Sequence, residues 1–358
     1  MFAFTVKTDS TTGKKILNLS FISINHALVD MVCAYLLFSV ITQNLVVDDQ
    51  FVYLIIWYGL LAFGLQPLCG LIIDYYQIPY QALALSLGVL LTSILAYFIS
   101  PWLSITLCAL ANAIFHVSAG TISFNITPQK ASAPGIYVGP GALGLFLGTW
   151  LGRHHPEKFC LILIAILVLS IFVLYLIPPI KIDYQIKKIS RNNTFWLVLL
   201  GLLLVVGFRS IVGMSLVFAW KSEFILAVLL VIFVVIGKML AGLVADRFGW
   251  LKTCFIGLIL SIPLLYLGAD IPYLAFFGAL SYQVTMPVTL TAVALLWPGR
   301  PGWAFGLPCG ALILGALITF FDVDKTLTTY IPLVIIIQIV IIIFSLNYFY
   351  KLTKNNHG

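Results

Sequence analysis

Gly70-Leu-Ile-Ile-Asp74 and Gly242-Leu-Val-Ala-Asp246-Arg247-Phe248-Gly249 stand 172 residues apart in a chain of 358. Each string closes a long apolar segment with a glycine and, one helical turn later, a carboxylate, which is how a helix leaves hydrocarbon for water. The same string at the same place in each half predicts a duplicated helical membrane bundle.

Composition agrees. Hydrophobic residues make up 62% of the chain and charged residues 9%, with a mean hydropathy of +1.11; a soluble domain carries about 25% charged residues. Apolar stretches of membrane-spanning length fall at roughly 16–42, 50–74, 81–99, 102–124, 133–152, 158–178, 195–219, 223–246, 250–268, 271–297, 302–320 and 329–350. They are continuously apolar instead of alternating over about ten residues, so they read as helices and not as barrel strands. The expected fold is an all-α polytopic membrane protein of twelve transmembrane helices in two pseudo-symmetric six-helix bundles. The first fifteen residues are polar (Lys7, Asp9, Lys14, Lys15) and run straight into the first span, unlike a cleavable signal peptide.

The longest polar connection, 179–194, lies at the midpoint and divides the chain into residues 1–178, a basic linker 179–194 and residues 195–358. If the N-terminus is cytoplasmic, thirteen Lys and Arg fall on the cytoplasmic loops and tails, including Lys130, Lys181, Lys187, Lys188, Arg191, Arg247, Lys252 and Arg300. Four (Arg153, Lys158, Lys221, Lys325) fall opposite. The positive-inside rule then places both termini in the cytoplasm, in a cytoplasmic (inner) membrane. The formal charge of +7 reflects this topology and marks no nucleic-acid partner. Six cysteines lie inside apolar spans without paired spacing and read as packing residues.

Five ionisable residues lie deep within spans: His26, Asp30, His116, Arg209 and Lys238. A charge at mid-membrane costs about 2.5–3.5 kcal/mol on insertion scales, so such groups face a water-filled path or a partner. His26 and Asp30 are four apart and share a helix face. Asp30 and Arg209 are 179 residues apart, half the chain, and pseudo-symmetry predicts that they face each other across a central cavity. In the functional reading Asp30, tuned by His26, takes up and releases a coupling proton, while Arg209 is its counter-charge or a ligand for an anionic substrate group. The competing reading is a static buried ion pair. His116 and Asn112 in the fourth span, Tyr282 and Gln283 in the tenth, and Lys238 are candidate substrate-binding residues, or polar groups that hold helices together. Two deep cations against one deep acid favour an anionic small molecule. His154-His155 beside Glu157 lacks the spacing of a tetrahedral metal site, and no nucleotide loop, haem motif or nucleophile elbow is present. No metal, cofactor or enzymatic activity is therefore expected, and the proton gradient is the expected energy source.

Helix contacts inside lipid need small residues. The fifth span supplies Gly135, Gly139, Pro140, Gly141, Gly144, Gly148 and Gly152, with Gly144, Gly148 and Gly152 on one face; the eleventh offers Gly302, Gly306, Gly310 and Gly315. These faces pack helices, or slide during a conformational cycle.

The chain resembles the major facilitator superfamily in its 6+6 spans, basic central loop and repeated Gly-x-x-x-Asp string. The second copy, Gly242, Asp246, Arg247 and Gly249, matches that family's gating signature; the first has Gly70 and Asp74 followed by Tyr75-Tyr76-Gln77 instead of basic residues. A narrower resemblance, to fosmidomycin-resistance-type efflux transporters, rests on His26-Ala-Leu-Val-Asp30, Gln66-Pro67, Phe115-His116, Met286-Pro287-Val288-Thr289 and the stretch from Leu296 to Leu307. Val117-Ser118 departs from it. Gly139-Pro140-Gly141-Ala142-Leu143-Gly144 partly matches a Gly-Pro-x-x-Gly-Gly motif of drug/proton antiporters. The resemblance implies a monomeric secondary transporter that works by alternating access, whose signature charges latch a cytoplasmic gate, and that exports a small organic molecule by proton antiport. Uptake by symport or uniport is the alternative on the same fold. A transport-dead sensor, or a membrane enzyme using His26, Asp30 and His116, is a different class that flux measurements would separate.

Overall fold

The computed structural model describes residues 10–43, 48–187, 189–216, 218–313 and 324–354. Among them, ten helices are long and apolar enough to cross a membrane, and Cys160–Leu176 is a shorter apolar helix. The order is α1 Ser10–Thr42, α2 Asp48–Gly59, α3 Gln66–Tyr76, α4 Pro79–Tyr97, α5 Pro101–Ile126, α6 Ser132–Val138, α7 Gly141–His154, α8 Cys160–Leu176, α9 Asn193–Ser215, α10 Phe224–Phe248, α11 Trp250–Leu267, α12 Pro272–Tyr282, α13 Thr285–Leu296, α14 Pro301–Ala311 and α15 Asp324–Lys354. The chain is a multi-pass helical membrane protein. Lys7, Lys188, Gly315 and the end of the eleventh span lie outside the described residues.

Three spans expected to be continuous are interrupted, and each break has a proline as its cause. A proline removes one i→i−4 hydrogen bond and crowds the carbonyl four residues back. Pro67 follows a π-helical turn, Leu60–Gly64, between α2 and α3. Gly139-Pro140 separates α6 from α7. Pro287 lies four residues after Gln283, where α12 gives way to α13. In lipid a freed carbonyl needs another donor. Ser23 Oγ on α1 lies 3.5 Å from Ile136 O, four residues before Pro140, and His26 takes the next carbonyl, Tyr137 O.

Buried apolar side chains form two clusters. One is drawn from residues 21–177 together with Leu290, Phe305 and Cys309; the other from residues 195–352 together with Ala131. The extended linker joins them along one end of the molecule. Ile180 N donates to Tyr80 Oη (3.0 Å) and Asp183 N to Asn125 Oδ1 (2.8 Å), while the Arg191 guanidinium lies 4.5 Å from the Trp297 ring. All six cysteines are free.

The glycine face of α7 lies directly on α1. A Cβ on Gly144 or Gly148 would collide with the main-chain carbonyl of Ala27 or Met31, and one on Gly152 would come within 2.6 Å of Tyr35 O. A backbone carbonyl in a packed helix cannot move aside as a side-chain tip can. Gly144→Val is therefore expected to lower the thermal unfolding midpoint in detergent by the upper part of the usual overpacking range, about 1–3 kcal/mol. Gly88→Ala in α4, where a Cβ meets open space, is expected to leave the midpoint unchanged or raise it slightly, because alanine loses less backbone entropy on folding.

Candidate functional site

Two imidazoles and one carboxylate meet where α1, α5 and the α6–α7 break come together. His26 and Asp30 face the same way from successive turns of α1, with His26 Nε2 3.3 Å from Asp30 Oδ2. His116 of α5 approaches from the other side, its Nε2 3.5 Å from Asp30 Oδ1 and 2.9 Å from His26 Nε2. Asn112, one turn before His116, donates its Nδ2 to Asp30 Oδ1 at 3.3 Å. The two histidine side chains are 7% and 10% exposed and Asp30 is 18% exposed, so the carboxylate is the member that can be reached.

The far ring nitrogens settle the protonation pattern. His26 Nδ1 lies 2.9 Å from Tyr137 O, and His116 Nδ1 lies 2.9 Å from Asn112 O. A main-chain carbonyl only accepts, so both Nδ1 atoms carry hydrogen and donate. Each Nε2 then presents a lone pair in the neutral ring. Two lone pairs 2.9 Å apart beside a carboxylate repel unless a cation lies among them. The Tyr137 carbonyl lies at the Gly139-Pro140 break, one residue after the Ile136 carbonyl that Pro140 leaves without a helical donor, and the Tyr137 ring stacks on His26 at 4.8 Å between centroids. Gly141 leaves the room: a Cβ there would run into His26 Nε2 and come within 2.6 Å of Asp30 Oδ2.

The cations expected opposite Asp30 lie elsewhere. No ion pair joins Asp30 to Arg209 among the described residues; Arg209 Nη1 donates to Gln283 Oε1 at 3.0 Å, and its buried Nε has no hydrogen-bond partner. The side chains within reach of the Asp30 carboxylate are His26, His116 and Asn112, and Arg209 is not among them. Lys238 of α10 is half-buried and makes no ion pair among the described residues. Tyr282 is committed to packing, since its hydroxyl donates to Gln338 Oε1 (2.9 Å) and Gln338 Nε2 donates to Val205 O (2.9 Å). Asn112 and Gln283 bond ionisable groups directly, whereas the Tyr282 hydroxyl is taken by Gln338.

At the end of the molecule that carries the linker, the two signature aspartates do the same thing in each half. Asp74 accepts from Gly302 N and Trp303 N, both at 2.8 Å, at the start of α14. Asp246 accepts from Ala131 N (2.8 Å) and Ser132 N (2.9 Å) at the start of α6, and from Trp250 Nε1 at 3.2 Å. The glycines let the partner helices in: a Cβ on Gly70 would strike Gly302 O, and one on Gly242 would strike Ala131 O. Gly249, at φ +96°, ends α10 in a conformation that side chains disfavour.

No family model matches the sequence, and no curated protein matches it. Solved structures do. The chain is similar to the fucose:proton symporter FucP of E. coli at 12% identity, covering 94% of this chain and 99% of that one with a TM-score of 0.70. It is similar to the human organic anion transporter MFSD10 at 14% identity, with 92% and 99% coverage and a TM-score of 0.70. It also resembles a bacterial homologue of the iron transporter ferroportin, solved in an outward-facing state, at 15% identity, with 95% and 99% coverage and a TM-score of 0.58. The chain has the major facilitator fold.

Within the major facilitator fold the structure changes how the gating signature is read. Arg247 is exposed, 5.6 Å from the Phe248 ring, and makes no ion pair among the described residues. The contacts between the two halves at this end are made by the carboxylates, each on the main-chain N–H groups of a helix start, where the helix dipole also favours negative charge. Tyr75-Tyr76-Gln77 after Asp74 therefore costs the first copy none of these bonds. Sequence reasoning missed the donors because backbone N–H groups carry no residue label. Pro301 at the start of α14 was the available signal.

Hydrogen bonds to a charged group contribute about 1.5–3 kcal/mol each. Asp246→Ala is expected to widen the distance between spin labels at the exposed positions Gln129 and Lys252, read by double electron–electron resonance. A distribution identical to that of the unsubstituted protein would show that this carboxylate does not hold the gate.

Proposed function

We propose that the protein is a secondary active transporter that works by alternating access, with the His26–Asp30–His116 cluster as the site where the coupling proton is taken up and released. The reading rests on one observation: a partly reachable carboxylate held between two imidazoles whose Nε2 atoms both face it and each other. That arrangement binds one proton as its stable complement, and losing it leaves an unbalanced charge in a low-dielectric interior. A change in which side of the membrane reaches Asp30 then changes whether the proton stays.

Arg209 and Gln283, together with Lys238 and Asn112, form the substrate-binding region, which favours a small organic anion. The unpartnered Nε of Arg209 supports this, because a guanidinium with free donors suits a carboxylate or phosphonate; the similar human structure is an organic anion transporter. Export by proton antiport follows from the resemblance to efflux carriers. The Gly144 and Gly148 face of α7, with Gly139 and Pro140 at its start, is the packing surface that keeps α1 and α7 in register. The halves 1–178 and 195–358, joined by the basic linker 179–194, rock about the cluster as a monomer in the cytoplasmic membrane, with both termini and the Asp74 and Asp246 contacts on the cytoplasmic side.

The test uses purified protein in liposomes. Candidate organic anions are first found by thermal shift, and proton movement on substrate addition is followed with an internal pH dye. Asp30→Asn is expected to abolish proton-coupled flux while leaving the unfolding midpoint close to that of the unsubstituted protein; undiminished coupled flux would refute the role of Asp30. The sign of proton movement relative to substrate separates antiport from symport. Arg209→Gln is expected to raise KM for an anionic substrate by about 10- to 100-fold, the equivalent of one or two charge-assisted bonds, with little change for a neutral analogue.

A further inference from the structure

We infer that His26, Asp30 and His116 form a binding site for a divalent transition-metal ion of the Zn2+ or Co2+ class. Their donor atoms lie within 4.8 Å of one another although their spacing along the chain, 26, 30 and 116, matches no metal motif. The three contacts are 2.9, 3.3 and 3.5 Å. Ligands on a tetrahedral ion with bonds of about 2.0–2.1 Å stand about 3.3–3.4 Å apart; Asp30 meets the two imidazoles through different oxygens, so one ligating oxygen reaches both by a rotation of the carboxylate, and the histidine pair opens by about 0.4 Å.

The outer contacts are those of a ligand set. A metal-binding imidazole uses one nitrogen for the ion and donates the other N–H to a carbonyl or carboxylate, which fixes its tautomer. Both histidines do this, to Tyr137 O and Asn112 O. A second observation points the same way. Asn112, 2% exposed, bonds Asp30 through Nδ2 and leaves Oδ1 buried without a partner. A half-turn of that amide would turn a neutral oxygen donor toward the cluster as the fourth ligand. Two imidazoles and one carboxylate suit Zn2+, Co2+ or Ni2+, whereas Ca2+ and Mg2+ need many more oxygens and Cu(I) needs sulfur. Gly141 keeps the space free, and Asp30 provides the route in. The ion occupies the lone pairs that otherwise share the proton, so the two exclude each other.

Binding is read without any transport assay, which keeps this inference separate from the proton-coupling role. Full-length, tag-free protein in detergent is titrated with Co2+ and followed by visible absorption, then with Zn2+ by calorimetry. One equivalent of Co2+ with the intense bands of a tetrahedral site, displaced by Zn2+, is expected. His116→Gln, which keeps the side-chain volume, is expected to weaken binding at least tenfold. Gly141→Ala, which fills the cage and removes no donor, should do the same, each variant being checked for an intact melting transition. Absence of a tetrahedral cobalt spectrum would overturn the inference. So would binding that survives both substitutions and disappears in His154→Ala/His155→Ala, which would assign the metal to the exposed turn.

Discussion

A carbonyl oxygen cannot donate a hydrogen bond, and the centre of this molecule follows from that fact. Because Tyr137 O and Asn112 O each hold an imidazole by Nδ1, both Nε2 atoms must turn inward to Asp30 and to each other. The cluster then needs a positive occupant. Three pieces of architecture make the arrangement possible. Pro140 interrupts the helix beside the Tyr137 carbonyl, Gly141 leaves space against the imidazole, and the glycines of α7 allow that helix to lie close enough to α1 for both to matter. Replacing any of them would disturb the chemistry without touching an ionisable side chain.

The same economy governs the far end. Asp74 and Asp246, at the ends of α3 and α10, each hold the start of a helix from the other half, so duplication of the chain appears as a pair of related clasps. They are not equal, since Asp246 has a third donor in Trp250 and Asp74 has two main-chain donors alone. Apolar packing reinforces the contact: Phe305 of α14 lies 5.8 Å from Phe124 and 5.9 Å from Tyr137 between ring centroids. Tyr137 thus touches both the interhelical seam and the His26 ring.

Charge is divided between the halves. Asp30 and its two histidines belong to the first, and Arg209 and Lys238 to the second, with Arg209 braced by Gln283 where Pro287 interrupts the tenth span. Proline breaks therefore occur beside both sets of polar groups. Irregular backbone inside a membrane protein survives where buried polar groups can satisfy it, so the breaks and the charges support each other.

The helical membrane class, the duplicated signature and the identity of the deep ionisable residues could all be read from the chain, because hydropathy and spacing act locally. His26 and Asp30 could be placed on one face for the same reason. The partner of Asp30 could not. Pseudo-symmetry pointed to Arg209, whereas the fold brings His116 across from α5, and only three-dimensional packing sets which of several buried cations or imidazoles comes within 3.5 Å. The interruptions in three spans, the role of backbone N–H groups in the clasps and the fate of Tyr282 likewise belong to tertiary structure. Sequence determines which groups enter the membrane; the assembled helices decide which of them meet, because main-chain carbonyls and N–H groups have no signature in the sequence until the fold brings them within hydrogen-bonding distance.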